Sequence, residues 1–337
     1  MARSTGPSPI DFVMLWVDGN DPAWQEARAR YAPALGSDAR AERYRDWDIL
    51  QYWFRGVERY APWVRQIHFV TYGHLPPWLN AAHPKLRIVR HEAFLPADCL
   101  PTFSGRPLEL NLHRLPGLAE QFVFFNDDMF LFAPVPPTAF FRGGLPCDMA
   151  IESPLQCREP TRACALANSL CVINSRFAKR DALRRHPWKW LNPRYGAAGL
   201  RNLLLLPWHS FVGFYDFHTP NAYVKATFEA AWAEARAVLE QTTRQRYRSN
   251  QDVVQALMKY WQLADGRFAP IRKRGTFVPL DRLDSAALAR LARRRPRFVC
   301  FNDSADVADF EATRRLLGDF LEKSFPQRSA FEIDPQE

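Results

Sequence analysis

Three short apolar runs constrain what this chain can fold into. Residues 11–17 (DFVMLWV), 66–71 (QIHFVT) and 121–125 (QFVFF) are rich in β-branched and aromatic residues, and each stops at a polar turn. Runs this short and this apolar suit strands covered on both faces. Between the first two lie Ile49, Leu50, Trp53, Phe54 and Val57 at helical spacing, with Ala61-Pro62 ending the helix over 46–60. Residues 23–32 also have helical composition, and 86–89 reads as a further short strand. Alternation of this kind predicts an α/β fold with a mostly parallel sheet.

Further along, a helix is expected after Pro107, over 107–120, broken at Pro116-Gly117. The Pro- and Gly-rich stretch 133–165 reads as loops. Helices are expected over 225–239 and 252–261, a strand over 298–301, and a closing amphipathic helix over 305–323. Residues 1–9 read as a flexible leader. The remainder, 10–337, reads as one catalytic domain with a helical insertion at 155–205. With 337 residues and 47% hydrophobic content, the chain can bury a sizeable core.

The formal net charge is +9. Two readings stay open: an ordinary Arg-rich protein, or one that prefers polyanions. No zinc-finger spacing and no basic region with heptads is present, so no nucleic-acid partner is expected. A nucleotide diphosphate suits the charge equally well. Six cysteines form no CxxC pair and read as free thiols in a reducing compartment. The N-terminus lacks an apolar signal core, and the longest apolar runs, 122–125 and 203–206, are too short to span a bilayer. A soluble, cytoplasmic protein is expected, with peripheral contact at the inner face of the membrane left open. Oligomeric state is not readable.

The candidate chemistry lies where apolar runs end. Asn126-Asp127-Asp128 follows one strand, and Asn302-Asp303 follows another. Ligands of open α/β sheets bind at such carboxyl ends. Mg²⁺ (or Mn²⁺) takes one or two protein carboxylates while a diphosphate supplies the rest. Asp127, Asp128 and Asp303 are therefore the candidate metal ligands, with Asn126 and Asn302 beside substrate. An Asp-rich turn or helix cap is the plainer alternative. Asp18 and Asp21, after the first run, repeat the pattern.

His218, before Thr219-Pro220, is a candidate general base, because an imidazole can take a proton from an alcohol at neutral pH. Arg248 offers a planar fork of donors for phosphate oxygens, and Asp252, four residues on, is expected to hold it from the same helix face. Structural roles for the His and a surface ion pair for the Arg are the alternatives. No GxxxxGK[ST] loop, GxGxxG fingerprint, kinase set or serine nucleophile elbow occurs. Phosphoryl transfer would then rest on carboxylates, metal, Arg and His.

These pieces, taken in order, resemble the Stealth family. The run from Asp11 to Pro22 is similar to its first conserved region. Residues 43–141 resemble the second, through Val57 to Arg65, Pro77 to Asn80, Leu100 to Ser104, Glu109 with His113-Arg114, and Phe125 to Asp128. The third resembles the chain around His218-Thr219-Pro220 and Arg248 to Asp252, and the fourth from Phe298 to Asp303 through Pro326.

The resemblance implies a Rossmann-like, glycosyltransferase-A-like core. It implies transfer of a sugar-1-phosphate from a UDP-sugar donor to a glycan acceptor, with UMP leaving, in capsular or cell-surface polysaccharide synthesis. By motif position it implicates Glu109, Asp128, His218 and Arg248. Glu109 is expected to orient His113 or Arg114, or to contact donor. Trp16, Asp18 and Asn20 are expected to border the uridine pocket, since they end the first strand. One departure stands out: many members carry a second His where this chain has Asn221. A glycosyltransferase of the same fold, releasing UDP, is one alternative. A noncatalytic glycan- or polyanion-binding protein is the other.

Overall fold

A computed structural model describes residues 8–31, 37–156 and 159–333. Most of the expected leader, residues 1–7, lies outside them, as does Cys157. The first run forms β1 (Ile10–Leu15), followed by α1 (Pro22–Ala29) and α2 (Leu50–Tyr60). Strands β2 (Ile67–Thr71) and β3 (Leu86–Arg90) come next, then α3 (Gly105–Leu110) and β4 (Gln121–Phe125). These four strands are parallel in the order β3-β2-β1-β4. The α/β, Rossmann-like expectation therefore holds on topology.

Every residue of β2 and β4 is buried, and β1 is buried but for its last residue. The alternation of side chains makes the reason plain. Phe12 and Met14 pack with Trp53, Phe54 and Phe125 on the α2 side, while Val13, Phe122 and Phe124 pack on the other.

After β4 the chain turns at Asn126-Asp127-Asp128 into β5 (Met129–Leu131). Short strands β6 (Phe141–Arg142) and β7 (Leu145–Asp148) follow. The 155–205 stretch carries four helices: α4 (Pro160–Arg176), α5 (Lys179–Arg185), α6 (Pro187–Trp190) and α7 (Leu200–Leu204). Strand β8 (Asn221–Val224) then closes the main sheet, antiparallel to β4. Helices α8 (Lys225–Glu234), α9 (Arg236–Thr243) and α10 (Ala256–Ala264) cover that end. The chain finishes with β9 (Ala269–Pro270), β10 (Thr276–Pro279), α11 (Ser285–Arg294), β11 (Phe298–Asn302) and α12 (Phe310–Ser324).

Some elements differ from the sequence expectation. The helix expected over 107–120 is α3 and a short 3-10 turn at Leu112–Arg114, with α3 started two residues earlier by the Ser104 hydroxyl, which accepts from the Arg106 N–H. The helix expected over 225–239 breaks at Ala235 into α8 and α9. The helix expected from Asp252 begins only at Ala256, because the Asp252 carboxylate is tied back to the Ser249 N–H at 2.8 Å. Strand β11 is not in the main sheet. It pairs with β10 and, antiparallel, with β5, and so belongs to a second, three-stranded sheet. That pairing still brings the carboxyl end of β11 to the end of β4: the Phe301 N–H donates to the Asp128 carbonyl at 2.9 Å.

Candidate active site

A cleft of about 2040 Å³ opens at the carboxyl end of β4. Asn126, Asp128, Glu109, His218, Arg248 and Asn302 all line it. These come from the β4–β5 turn, α3, the loop before β8, the loop between α9 and α10, and the end of β11. Eleven arginines and two lysines line the same cleft against four acidic residues. The formal charge of the chain is thus concentrated where an anionic ligand would sit.

Asp128 sits between two sheets. Its Oδ2 accepts from the Cys300 thiol at 3.1 Å, while its Oδ1 is buried without a partner. Burial pushes its carboxyl above the ordinary range, and the Cys300 hydrogen bond and the nearby His218 offset part of that. Asp127, alongside, has a solvent-exposed side chain crowded by surrounding protein atoms. Burial, then the charges of Asp128 and Asp46, push it up to about 7. A positive charge nearby would favour the ionised form of both carboxylates, and one Asp128 oxygen has no partner. Among the described residues no three His, Cys, Asp or Glu side chains gather into a metal cage. Asp128, which lines the cleft and has one unpartnered oxygen, and the adjacent Asp127 are the carboxylates at this end of β4 that could hold a cation, with ligand oxygens supplying the rest of its shell.

Asp303 does not line the cleft. Arg45 grips it with two donors, at 2.5 and 3.0 Å. Both of its oxygens are thus engaged by a guanidinium, and Asn302 is the residue at the end of β11 that lines the cleft.

His218 is shaped by its neighbours. Its backbone has φ of 43°, in the left-handed region that a residue with a Cβ rarely adopts. The Asp216 carboxylate fixes that turn by accepting the His218 N–H at 3.0 Å, and its other oxygen lies 3.5 Å from Nε2. Arg162 donates to the same carboxylate at 3.2 Å. Burial opposes ionisation of Asp216, but Lys259, His218 and Arg162 together hold it below the usual carboxylate range. Phe277 packs against the imidazole, with ring centroids 4.9 Å apart. The one sequence signal for Asp216 is its place two residues before a His, from which a carboxylate can cap the His N–H.

Arg248 is set by the residue before it. Tyr247 is buried with Trp24 and Phe103, and its hydroxyl donates to the Tyr31 carbonyl at 2.8 Å. The Asp38 N–H donates to the Arg248 carbonyl at 2.9 Å and locks the strand-like segment. Burial lowers the guanidinium pKa, with Arg43 and Arg106 adding to the effect and Glu109 opposing it. Glu109 itself is pushed up by burial and offset by Arg248 and Arg106.

Several expected site residues lie elsewhere. Asp252 does not hold Arg248: it is buried and accepts from Arg106 at 2.6 Å, because the loop before α10 turns its carboxylate inward. Arg106, which sequence reasoning missed, lines the cleft and reaches the Ser249 and Thr161 carbonyls as well. Its Asp252 partner is distant in sequence, so spacing could not reveal it.

His113 and Arg114 leave the cleft because the turn after α3 points them at α8. His113 packs against Phe228, burial pushes it down to about 4, and Arg114 stacks on Trp232. Trp16 is buried, stacked on Phe69, and donates to Asp46 at 3.1 Å. Asp18 accepts the Asn20 N–H at 2.8 Å. Trp16, Asp18 and Asn20 close the end of β1 with internal bonds and do not line the cleft. Asn221, where many family members carry His, is the first residue of β8 and does line it.

Comparison with known proteins bears on this geometry. Among solved structures, the bifunctional glycosyltransferase WbbM covers 97% of this chain and 51% of its own, at 12% identity and a TM-score of 0.41. The galactosyltransferase LgtC covers 92% of this chain and 95% of its own, at 9% identity and a TM-score of 0.36. Likeness at that level carries no argument. Sequence relatives are much nearer. The capsular polysaccharide phosphotransferase WcwK of Streptococcus pneumoniae is 38% identical, over 96% of this chain and 98% of its own. The exopolysaccharide phosphotransferase cps2G of Lactiplantibacillus plantarum is 36% identical over 98% of both. The receptor polysaccharide phosphotransferase WefC of Streptococcus oralis is 37% identical, over 96% of this chain and 99% of its own. Residues 8–36 match Stealth protein conserved region 1, residues 43–146 conserved region 2, and residues 289–337 conserved region 4. Those regions contain the β1 end, the Asp127-Asp128 turn and the β11 strand that pairs beside it, and the chain belongs to the Stealth family.

Proposed function

We propose that this protein is a polysaccharide phosphotransferase that moves a hexose-1-phosphate from a UDP-sugar to a hydroxyl of a glycan acceptor and releases UMP, in capsular or cell-surface polysaccharide synthesis. One observation carries the reading: Asp128, His218 and Arg248, from three distant stretches of chain, line one strongly basic cleft. The relatives named as phosphotransferases, aligned over nearly the whole chain, support it and set aside the noncatalytic alternative.

The chemistry follows from the residues. The acceptor oxygen bonds to the phosphorus that carries the sugar, and the bond from that phosphorus to the UMP oxygen breaks. His218 takes the hydroxyl proton. Asp216 holds His218 in its turn, as the cap on its N–H requires. Arg248 steadies charge on the transferred phosphoryl group with a fork of donors. The Glu109 carboxylate offsets part of the burial of the Arg248 guanidinium. A divalent cation at Asp128, with Asp127 beside it, would neutralise diphosphate charge. The cleft's other arginines favour an anionic donor.

A donor assay with separation of nucleotide products tests the reaction class. UMP is expected. UDP would identify a glycosyltransferase that breaks the sugar–oxygen bond instead. Replacing the base, His218→Ala, should lower turnover on the order of 10²–10⁴-fold with the protein still folded. A near-normal rate would assign the proton to another group.

A further inference from the structure

Seven of the eleven exposed large apolar side chains among the described residues fall between positions 188 and 208. Scattered exposed leucines need no explanation, but a cluster does. Trp188 is 78% exposed, Leu204 74%, Leu200 58% and Trp208 53%. On α7, Leu200, Leu203 and Leu204 share the outer face at helical spacing while Asn202 points inward.

This face is held rigidly. The Asn202 side chain donates to the Ala150 and Trp190 carbonyls at 2.6 and 2.7 Å and accepts the Glu152 N–H at 2.8 Å. Beneath it, buried Lys179 pairs with Glu152 and donates to the Leu205 carbonyl at 2.6 Å. Helices α5, α6 and α7 therefore form one platform that presents leucines and tryptophans outward.

Charge identifies what covers it. Arg180, Arg184, Arg185, Arg194 and Arg201 are all exposed on the same stretch, and Asp181 is its one acidic residue. Exposed leucines flanked by tryptophans and arginines match the interfacial zone of an anionic bilayer: apolar groups enter the acyl boundary, indoles sit at headgroup level, and guanidiniums meet lipid phosphates. No helix among the described residues is long and apolar enough to cross a membrane, so the contact is with one leaflet. The segment joining α6 to α7 lines the cleft through Arg194 and Tyr195, so the platform borders the site. We propose that residues 188–208 dock this protein on an anionic phospholipid surface, with the cleft's edge held against the leaflet.

Flotation of the full chain with phosphatidylglycerol–phosphatidylcholine vesicles, against pure phosphatidylcholine vesicles, tests this. Binding to the anionic vesicles is expected, with a blue shift of tryptophan emission and weakening as salt rises. The double variant Leu203→Asp/Leu204→Asp should reduce vesicle binding about ten-fold or more, while donor turnover with a water-soluble acceptor stays unchanged. The positions are exposed, so the fold is not at risk, and an unchanged melting temperature verifies that. Three results would overturn the proposal: no flotation with either vesicle, equal flotation of the double variant, or a dimer that the double variant separates without any lipid binding. Each is read without reference to which nucleotide is released, so it stands apart from the test of the reaction.

Discussion

The ends of β1 and β4 read alike in sequence: an apolar strand, then a run of carboxylates. In the folded protein they differ completely. After β1, Asp21 caps α1 by accepting the Trp24 N–H at 2.7 Å, and Asp18 accepts the Asn20 N–H. Each carboxylate is engaged by a local backbone donor. After β4, Asp128 keeps a buried oxygen without a partner, and Asp127 is pushed up to about 7. An acidic cluster becomes a binding site when the fold leaves its charge uncompensated, and a structural turn when backbone N–H groups compensate it.

The sharpest way to break this comparison is Asp128→Asn. Loss of a carboxylate that supports charge in the transition state costs several kcal/mol, so turnover should fall on the order of 10³-fold or more. Stabilisation by Mg²⁺ together with the donor nucleotide, read as a shift in melting temperature, should vanish as well. Retention of both would make the β4 end no more functional than the β1 end.

Asp127 gives a pH test. Its folded-state pKa, about 7, lies above the ordinary aspartate value. Between the two values the folded protein keeps a proton that the unfolded chain has already released, so falling pH favours the fold. The penalty on the charged form is complete above about pH 7 and absent below about pH 4. Asp127→Asn should therefore melt higher than the parent at pH 8, and the two curves should meet near pH 4. Curves that stay parallel would show that the carboxylate is compensated after all.

Much of the β4 end was visible before folding. The strand, the turn and Asp128 stand together in sequence, because a strand buried on both faces leaves an unbroken apolar run. What was not visible depends on register. Cys300 meets Asp128 only because β11 pairs antiparallel with β5, setting Cys300 opposite Met129. Arg45 takes Asp303 for a similar reason, across 258 positions of chain. The misassigned Asp252 shows the same limit: helical spacing suggested Arg248, but a loop carried the carboxylate to Arg106. His113 and Arg114 are close to Glu109 in sequence, yet one turn of backbone separates a cleft wall from the packing under α8.

The Cys300 thiol is a smaller test. It is buried, its own ionisation is suppressed by burial and by Asp128, and it serves as a donor. Cys300→Ala removes the bond and leaves both Asp128 oxygens unpartnered. Turnover should drop about ten-fold, with Cys300→Ser restoring most of it by offering a hydroxyl in the same place. No loss in the alanine variant would mean that β5 alone positions Asp128.

The smallest effect belongs to the β1 end. Asp21→Ala deletes the cap of α1, a helix whose one buried side chain, Trp24, packs on Tyr44 with ring centroids 4.9 Å apart. Loss of such a cap costs about 1 kcal/mol of stability, which chemical denaturation can measure. Turnover under saturating donor should not change, because no cleft residue bonds to Asp21. Trp24 does share its cluster with Tyr247, the neighbour of Arg248, so a loosened α1 has one physical route to the cleft. A drop in donor affinity with stability barely altered would mean that the β1 carboxylates reach the ligand after all, and that capping and binding are not alternatives at this strand end.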